Sequence, residues 1–243
     1  MLIINADDWG RTRGDTDATL FCYERKRITS VSAMVFMEDS ERAARIARGE
    51  GIDAGLHVNF TQPFTGKVPY SFLVESQQSI SRYLISNKYA PAFYNPRLRK
   101  FFKSVYVAQA EEFLRLYKRS PSHINGHHHM HLCANVILSG IIPKRQKIRR
   151  NFSFSAGEKN LFNRMYRRLV DLWLSRRYSL TDYFFALSHV IQNDSLERVV
   201  RLSRLTTVEL MAHPANPKES DFLMSDRFSK KLKGVEMGSY LAL

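Results

Sequence analysis

Cysteine is scarce: Cys22 and Cys133 are the two in 243 residues, too few for a disulfide framework and too far apart for a CxxC unit. A reducing compartment is the expectation. No window of about 18 uninterrupted apolar residues occurs, which argues against a membrane-spanning helix. Met1-Leu2-Ile3-Ile4-Asn5 carries no basic leader followed by an apolar stretch, so secretion is not expected and a cytoplasmic location is. Glycine (11) and proline (8) nowhere dominate a segment, so the chain lacks the signature of a disordered tail or linker. One folded domain over residues 1–243 is therefore the default. Zinc-finger, basic-zipper and aromatic RNA-binding motifs are missing as well.

Acidic residues are outnumbered, with 23 Asp and Glu against 37 Lys and Arg, a formal charge of +14. Such a balance points to anionic partners: nucleic acid, an acidic membrane surface, or a polyanionic or lipid-linked carbohydrate. Against these stands a solvated basic surface that serves solubility, since the charges are spread through helical segments. The densest run is Lys144, Arg145, Lys147, Arg149 and Arg150, followed by Arg164, Arg167, Arg168, Arg176 and Arg177.

Apolar and polar segments alternate in the manner of βα units around a parallel sheet or barrel. Residues 2–6 are an apolar run that stops at Asp7-Asp8-Trp9-Gly10 and reads as a buried strand ending in a loop. Further strands are expected over Ile28–Phe36, Ile52–Asn59, around His123-Ile124-Asn125, and over Thr207–Ala212. Helices are expected over Asp15–Arg27, Arg42–Gly49, Phe101–Lys118, 160–180 and 194–204. Residues 60–100, with Pro63, Pro69, Pro91 and Pro96, read as long loops and short helices.

Asp7-Asp8, His57, Asn125 with His127, and His213 each fall at the carboxyl end of an expected strand, where α/β folds assemble their sites. Five of the eight histidines lie within nine residues, as His123, His127, His128, His129 and His131. Neutral imidazole is the commonest transition-metal ligand, and a catalytic site needs about three protein ligands with a position open for water. The bland alternative is a solvated loop with incidental histidines. Asp7-Asp8 adds hard oxygen donors, although neighbours on a straight strand face opposite ways. Both turn to one site only if the chain bends, which Gly10 permits. An Asx turn capping the next helix is the competing reading. A lone histidine in the place of His57 is more often a hydrogen-bonded core residue than a ligand, and His213 taken singly has the same structural reading.

Asn5-Ala6-Asp7-Asp8-Trp9-Gly10, Gly55-Leu56-His57-Val58-Asn59, His123-Ile124-Asn125-Gly126-His127-His128-His129-Met130-His131 and Glu209-Leu210-Met211-Ala212-His213-Pro214 stand in an order and approximate spacing that resembles the YdjC-like carbohydrate deacetylases. That family includes chitooligosaccharide deacetylases and a hopanoid-biosynthesis-associated branch. The resemblance runs from Asn5 to at least Pro214. It implies an α/β fold, a distorted (β/α) barrel, with Asp8, His57 and His127 holding a divalent metal, Asp7 as catalytic base and His213 as acid. Two histidines and a carboxylate suit Zn²⁺ best, with Mg²⁺, Mn²⁺ or Co²⁺ as alternatives.

The implied reaction is metal-assisted hydrolysis of an acetamide on an N-acetylated sugar. Asn125 departs from the family, which usually has Asp there; an amide still accepts a hydrogen bond but does not stabilise an imidazolium. Contact with an anionic membrane or acidic glycan would suit the charge, nucleic acid is not the expected partner, and a homo-oligomer is compatible with the sequence. A glycosidase is disfavoured, because its two carboxylates flank the scissile bond about 5 to 9.5 Å apart. A metal-dependent phosphoesterase, a basic nucleic-acid-binding protein and a member without activity remain as rivals.

Overall fold

Leu2–Trp9 is buried along its whole length, as befits a strand covered on both faces. It forms β1 of the computed structural model, which describes residues 1–154 and 160–243. The strand thus runs three residues past the apolar run that marks it in the sequence, through Asp7 and Asp8 to the fully buried Trp9. The later strands are β2 (Ser30–Ala33), β3 (Ala54–Val58), β4 (Ile124–Gly126), β5 (Tyr183–Ala186), β6 (Val208–Ala212) and the short β7 (Met237–Gly238). Between them come α1 (Arg13–Glu24), α2 (Ser40–Gly49), α3 (Ser71–Ile85), α4 (Arg99–Tyr117), α5 (Ala134–Ser139), α6 (Leu161–Ser175), α7 (Leu187–Gln192) and α8 (Leu196–Ser203). Helices α9 (Pro217–Met224) and α10 (Asp226–Lys231) follow β6. The α/β class expected from the sequence is present, with parallel pairing of its strands.

The chain divides into two compact units. The first holds Met1–Asp7, Asp17–Val31 and Lys144–Leu243. There β6 lies between β1 and β5, with Ala6 opposite Ala212 and Phe184 opposite Glu209. β2 is the other neighbour of β1, and β7 also pairs with β1. The second unit holds Asp8–Thr16 and Ser32–Pro143. There β3 lies between β2 and β4, and His57 is register partner to Asn125.

One sequence expectation is corrected in the second unit. Residues 60–100, read as long loops and short helices, hold in α3 one long helix of 15 residues that packs on α4. Pro69 precedes this helix and Pro91 follows it, so the prolines bound it rather than break it. Its buried positions Leu73, Gln77, Ile80 and Leu84 keep helical spacing. The sequence reading also placed no element between residues 180 and 194, where β5 and α7 lie.

Gly55 of β3 shows how tightly the second unit is packed beneath its functional residues. A Cβ there would meet the His123 ring at 2.3 Å, so this glycine is required by close approach and not by its backbone angles. Gly55→Ala is expected to cost about 1–3 kcal/mol, read as a melting point lower by about 2–12 °C. A melting point equal to wild type would refute the tight fit.

Candidate metal centre

Asp8 stands near the end of β1 in the left-handed region, at φ 65°, which aspartate tolerates better than most residues. Together with Gly10 at φ 85°, it supplies the bend that the sequence reading attributed to Gly10 alone. Arg11 donates to Asp8 Oδ2 at 2.6 Å while its other nitrogens grip Asp15. That leaves Asp8 Oδ1 buried and without a hydrogen-bond donor. What it faces instead are His127 Nδ1 at 3.0 Å and His57 Nε2 at 3.5 Å. The three candidate ligand atoms lie within 4.8 Å of one another.

Separations of 3.0 and 3.5 Å are those of neighbouring donors around an ion with bonds of about 2.0–2.2 Å. An orphaned carboxylate oxygen facing two imidazole nitrogens is chemically a cation site, and its donor set fits a divalent metal. Burial alone would raise the Asp8 carboxyl, but the two imidazoles, His127 foremost, outweigh it and hold it well below the usual carboxylate range. An ionised carboxylate is what a metal ligand requires.

A relay behind His57 sets its tautomer. His57 Nδ1 donates to Asn125 Oδ1 at 2.7 Å, and Asn125 Nδ2 donates to Ser32 Oγ at 2.7 Å. Ser32 Oγ in turn meets His123 Nε2 at 3.0 Å, and His123 Nδ1 meets Ser122 Oγ at 3.0 Å. With Nδ1 protonated, the Nε2 lone pair of His57 points toward Asp8. Asn125 thus accepts this bond without bringing a negative charge to the ring. Asn125→Leu is expected to weaken divalent-ion affinity about 10- to 100-fold, measured by titration calorimetry. Affinity unchanged by the leucine would show that the relay orients nothing.

The other clustered histidines do different work. His123 and His131 are buried, His128 bonds Thr61 Oγ1 at 3.0 Å, and His128 and His129 both adopt positive φ. Burial, reinforced by neighbouring His127, pushes the His128 imidazole below its ordinary range. Of the five, only His127 joins the ligand cluster.

The other two expected site residues, Asp7 and His213, belong to the first unit. Asp7 is gripped by the fork of Arg149, with NH1 on Oδ2 at 2.6 Å and NH2 on Oδ1 at 2.8 Å. Asn5 Nδ2 also donates to Asp7 Oδ1 at 2.9 Å, and Ser30 Oγ holds Asn5 Oδ1. The remaining face of Arg149 bonds Glu209 Oε1, at 2.8 Å from Nε and 2.7 Å from NH2. The Tyr240 hydroxyl donates to Glu209 Oε2. Burial opposes the Arg149 charge, yet Asp7 and Glu209 outweigh it and hold the guanidinium firmly protonated. Burial raises the Glu209 carboxyl even though Arg149 pulls the other way.

His213 follows β6, and its backbone N–H donates to Glu219 Oε2 at 2.7 Å. Its ring Nδ1 lies 3.9 Å from Glu219 Oε1. Burial raises the Glu219 carboxyl, partly offset by His213. Sequence reasoning missed Arg11, Arg149, Glu209, Tyr240 and Glu219 as partners of site residues. It placed Arg149 in the densest basic run, weighed between a surface for anionic partners and a solvated one, whereas this side chain is completely buried.

The sequence model of the family described as YdjC-like protein matches residues 1–236. A chitooligosaccharide deacetylase of Serratia marcescens is 29% identical over 54% of this chain, a match that spans about half of that relative (51%). Broader matches join 88% of this chain to 81% of a Yersinia enterocolitica chitooligosaccharide deacetylase at 23% identity. They also join 99% of it to 98% of an Escherichia fergusonii protein of the same name at 26% identity. With the family pattern matched over nearly its whole length, the chain belongs to the YdjC-like protein family.

Proposed function

We propose that this protein is a divalent-metal-dependent deacetylase that hydrolyses the acetamide of an N-acetylated sugar, with Asp8, His57 and His127 holding the ion. The observation that carries this reading is the convergence of Asp8 Oδ1, His57 Nε2 and His127 Nδ1 on one point, in a chain related to chitooligosaccharide deacetylases. Zn²⁺ suits two imidazoles and a carboxylate best, ahead of Mg²⁺.

When bound, the ion supplies Lewis-acid polarisation of the acetyl carbonyl and a more acidic water. Asp7 takes the proton of the attacking water; its ion pair with Arg149 keeps the carboxylate fixed. His213 gives a proton to the departing amine nitrogen, held in place by Glu219. Acetate and a free amino sugar leave. Support for a sugar comes from the relatives, which are named chitooligosaccharide deacetylases.

The test is acetate release from acetylated chitooligosaccharides by purified protein, before and after chelation and with Zn²⁺ or Mg²⁺ restored, beside a panel of phosphoesters. Metal-dependent acetate release is expected. Phosphate release without acetate, or turnover indifferent to chelation, would overturn the reading.

A further inference from the structure

Helix α6 carries an apolar face on the wrong side for a core. Its anchoring side is set by Leu174 and Asp171, both buried, with the Asp171 carboxylate bonded to Arg150 and Asn151. At about 100° per residue, Leu161, Met165, Leu169 and Leu172 fall within an arc of roughly 80° that points away from that side. They are 75%, 53%, 60% and 55% exposed. Tyr166, also exposed, lies beyond one edge of the stripe, and Arg164 and Arg168 border the other. Arg176 is exposed one residue past the helix, and the Arg177 guanidinium lies over the Trp173 ring at 4.6 Å.

A globular protein does not hold four large aliphatic side chains in water without a use for them. An apolar stripe bordered by arginines is the pattern of a helix that lies in the plane of a lipid headgroup layer, its aliphatic side chains sunk among acyl chains and its cations on phosphates. We propose that the outward face of α6 docks this protein on an anionic phospholipid membrane. No helix among the described residues is long and apolar enough to cross a membrane, so the contact is made at the surface. A second copy of the chain is the rival occupant. Isologous pairing of this face would set Arg164, Arg168 and Arg176 against their own counterparts, where like charges repel. The formal charge of +14 favours the anionic surface in the same way.

The test is co-sedimentation with vesicles of phosphatidylglycerol and phosphatidylcholine, against vesicles of phosphatidylcholine alone. The chain has two tryptophans, of which Trp9 is fully buried, so a blue shift of emission on binding reports Trp173. Binding to the anionic vesicles alone is expected, weakening as salt rises. The double variant Leu169→Ser/Leu172→Ser should bind about tenfold more weakly or worse, and Arg164→Ala/Arg168→Ala several-fold more weakly. Both variants should melt with wild type, since none of the replaced side chains is buried. Failure to bind anionic vesicles, or binding indifferent to the leucine pair, overturns the proposal. So does a concentration-dependent dimer that the leucine variant abolishes.

Discussion

Asp8→Ala and His127→Ala are each expected to abolish tight divalent-ion binding and to lower metal-dependent acetate release about 10³-fold or more. Loss of the ion removes several kcal/mol of transition-state stabilisation, and each 1.4 kcal/mol is tenfold in rate. A thermal readout separates this from misfolding. Wild type should gain about 2.7 kcal/mol of stability when the free ion stands at a hundred times its dissociation constant, and the variants should gain nothing. Asp8→Asn is a sharper probe, because it keeps the Arg11 contact at Oδ2 while removing the charge that faces His57 and His127. If Asp8→Ala still binds the ion as tightly as wild type, these three residues are not the metal centre.

Arg149→Met should be among the most destabilising single changes in the chain. It strands two buried carboxylates, Asp7 and Glu209, whose shared cation is completely enclosed. Breaking a buried ion pair from one side costs about 3–5 kcal/mol, which at this chain length lowers the melting point by roughly 6–20 °C. The cost should depend on pH. Glu209 already has its carboxyl raised above the ordinary 4.5 by burial, so the folded state holds that proton more tightly than the unfolded chain. Stability from this group is present at low pH and lost as pH rises through the folded value. Without Arg149 the loss grows, so the deficit of Arg149→Met against wild type should be larger at pH 8 than at pH 5.

Arg149→Met/Glu209→Gln should recover part of the loss by removing one stranded charge. Arg149→Lys keeps a cation but not the fork that spans both carboxylates. It should therefore retain more stability than Arg149→Met yet lower turnover by releasing Asp7. A melting point for Arg149→Met within a degree of wild type would show that the network carries no structural burden.

Much of the centre is legible in the residues themselves. Imidazole and carboxylate at strand ends announce metal chemistry, and four short motifs in register name the family that the comparison over residues 1–236 confirms. The strands with strong β-branched or alternating character are legible too. What eludes the linear reading has a common cause. Prolines on either side of α3 look like disruption until the helix between them is seen, because a proline's effect depends on whether it falls inside or outside an element. Asn125 looks like a weakened site until its register with His57 turns it into the acceptor that sets a tautomer.

The same holds for charge. By itself the sequence determined the family, the α/β class and the sign of the protein's net charge, since these follow from motifs in register, local periodicity and sums. Only the tertiary structure decided which cation is interior and which apolar residues are exterior. Arg149 sits 142 positions from Asp7 in a basic run that reads as surface, yet its guanidinium is spent on two carboxylates inside the molecule. Leu161, Met165, Leu169 and Leu172 have the spacing of a core stripe, yet they face water. Burial and pairing are properties of neighbours in space, and amphipathic periodicity states only that a helix has two faces, not which of them the rest of the chain will cover.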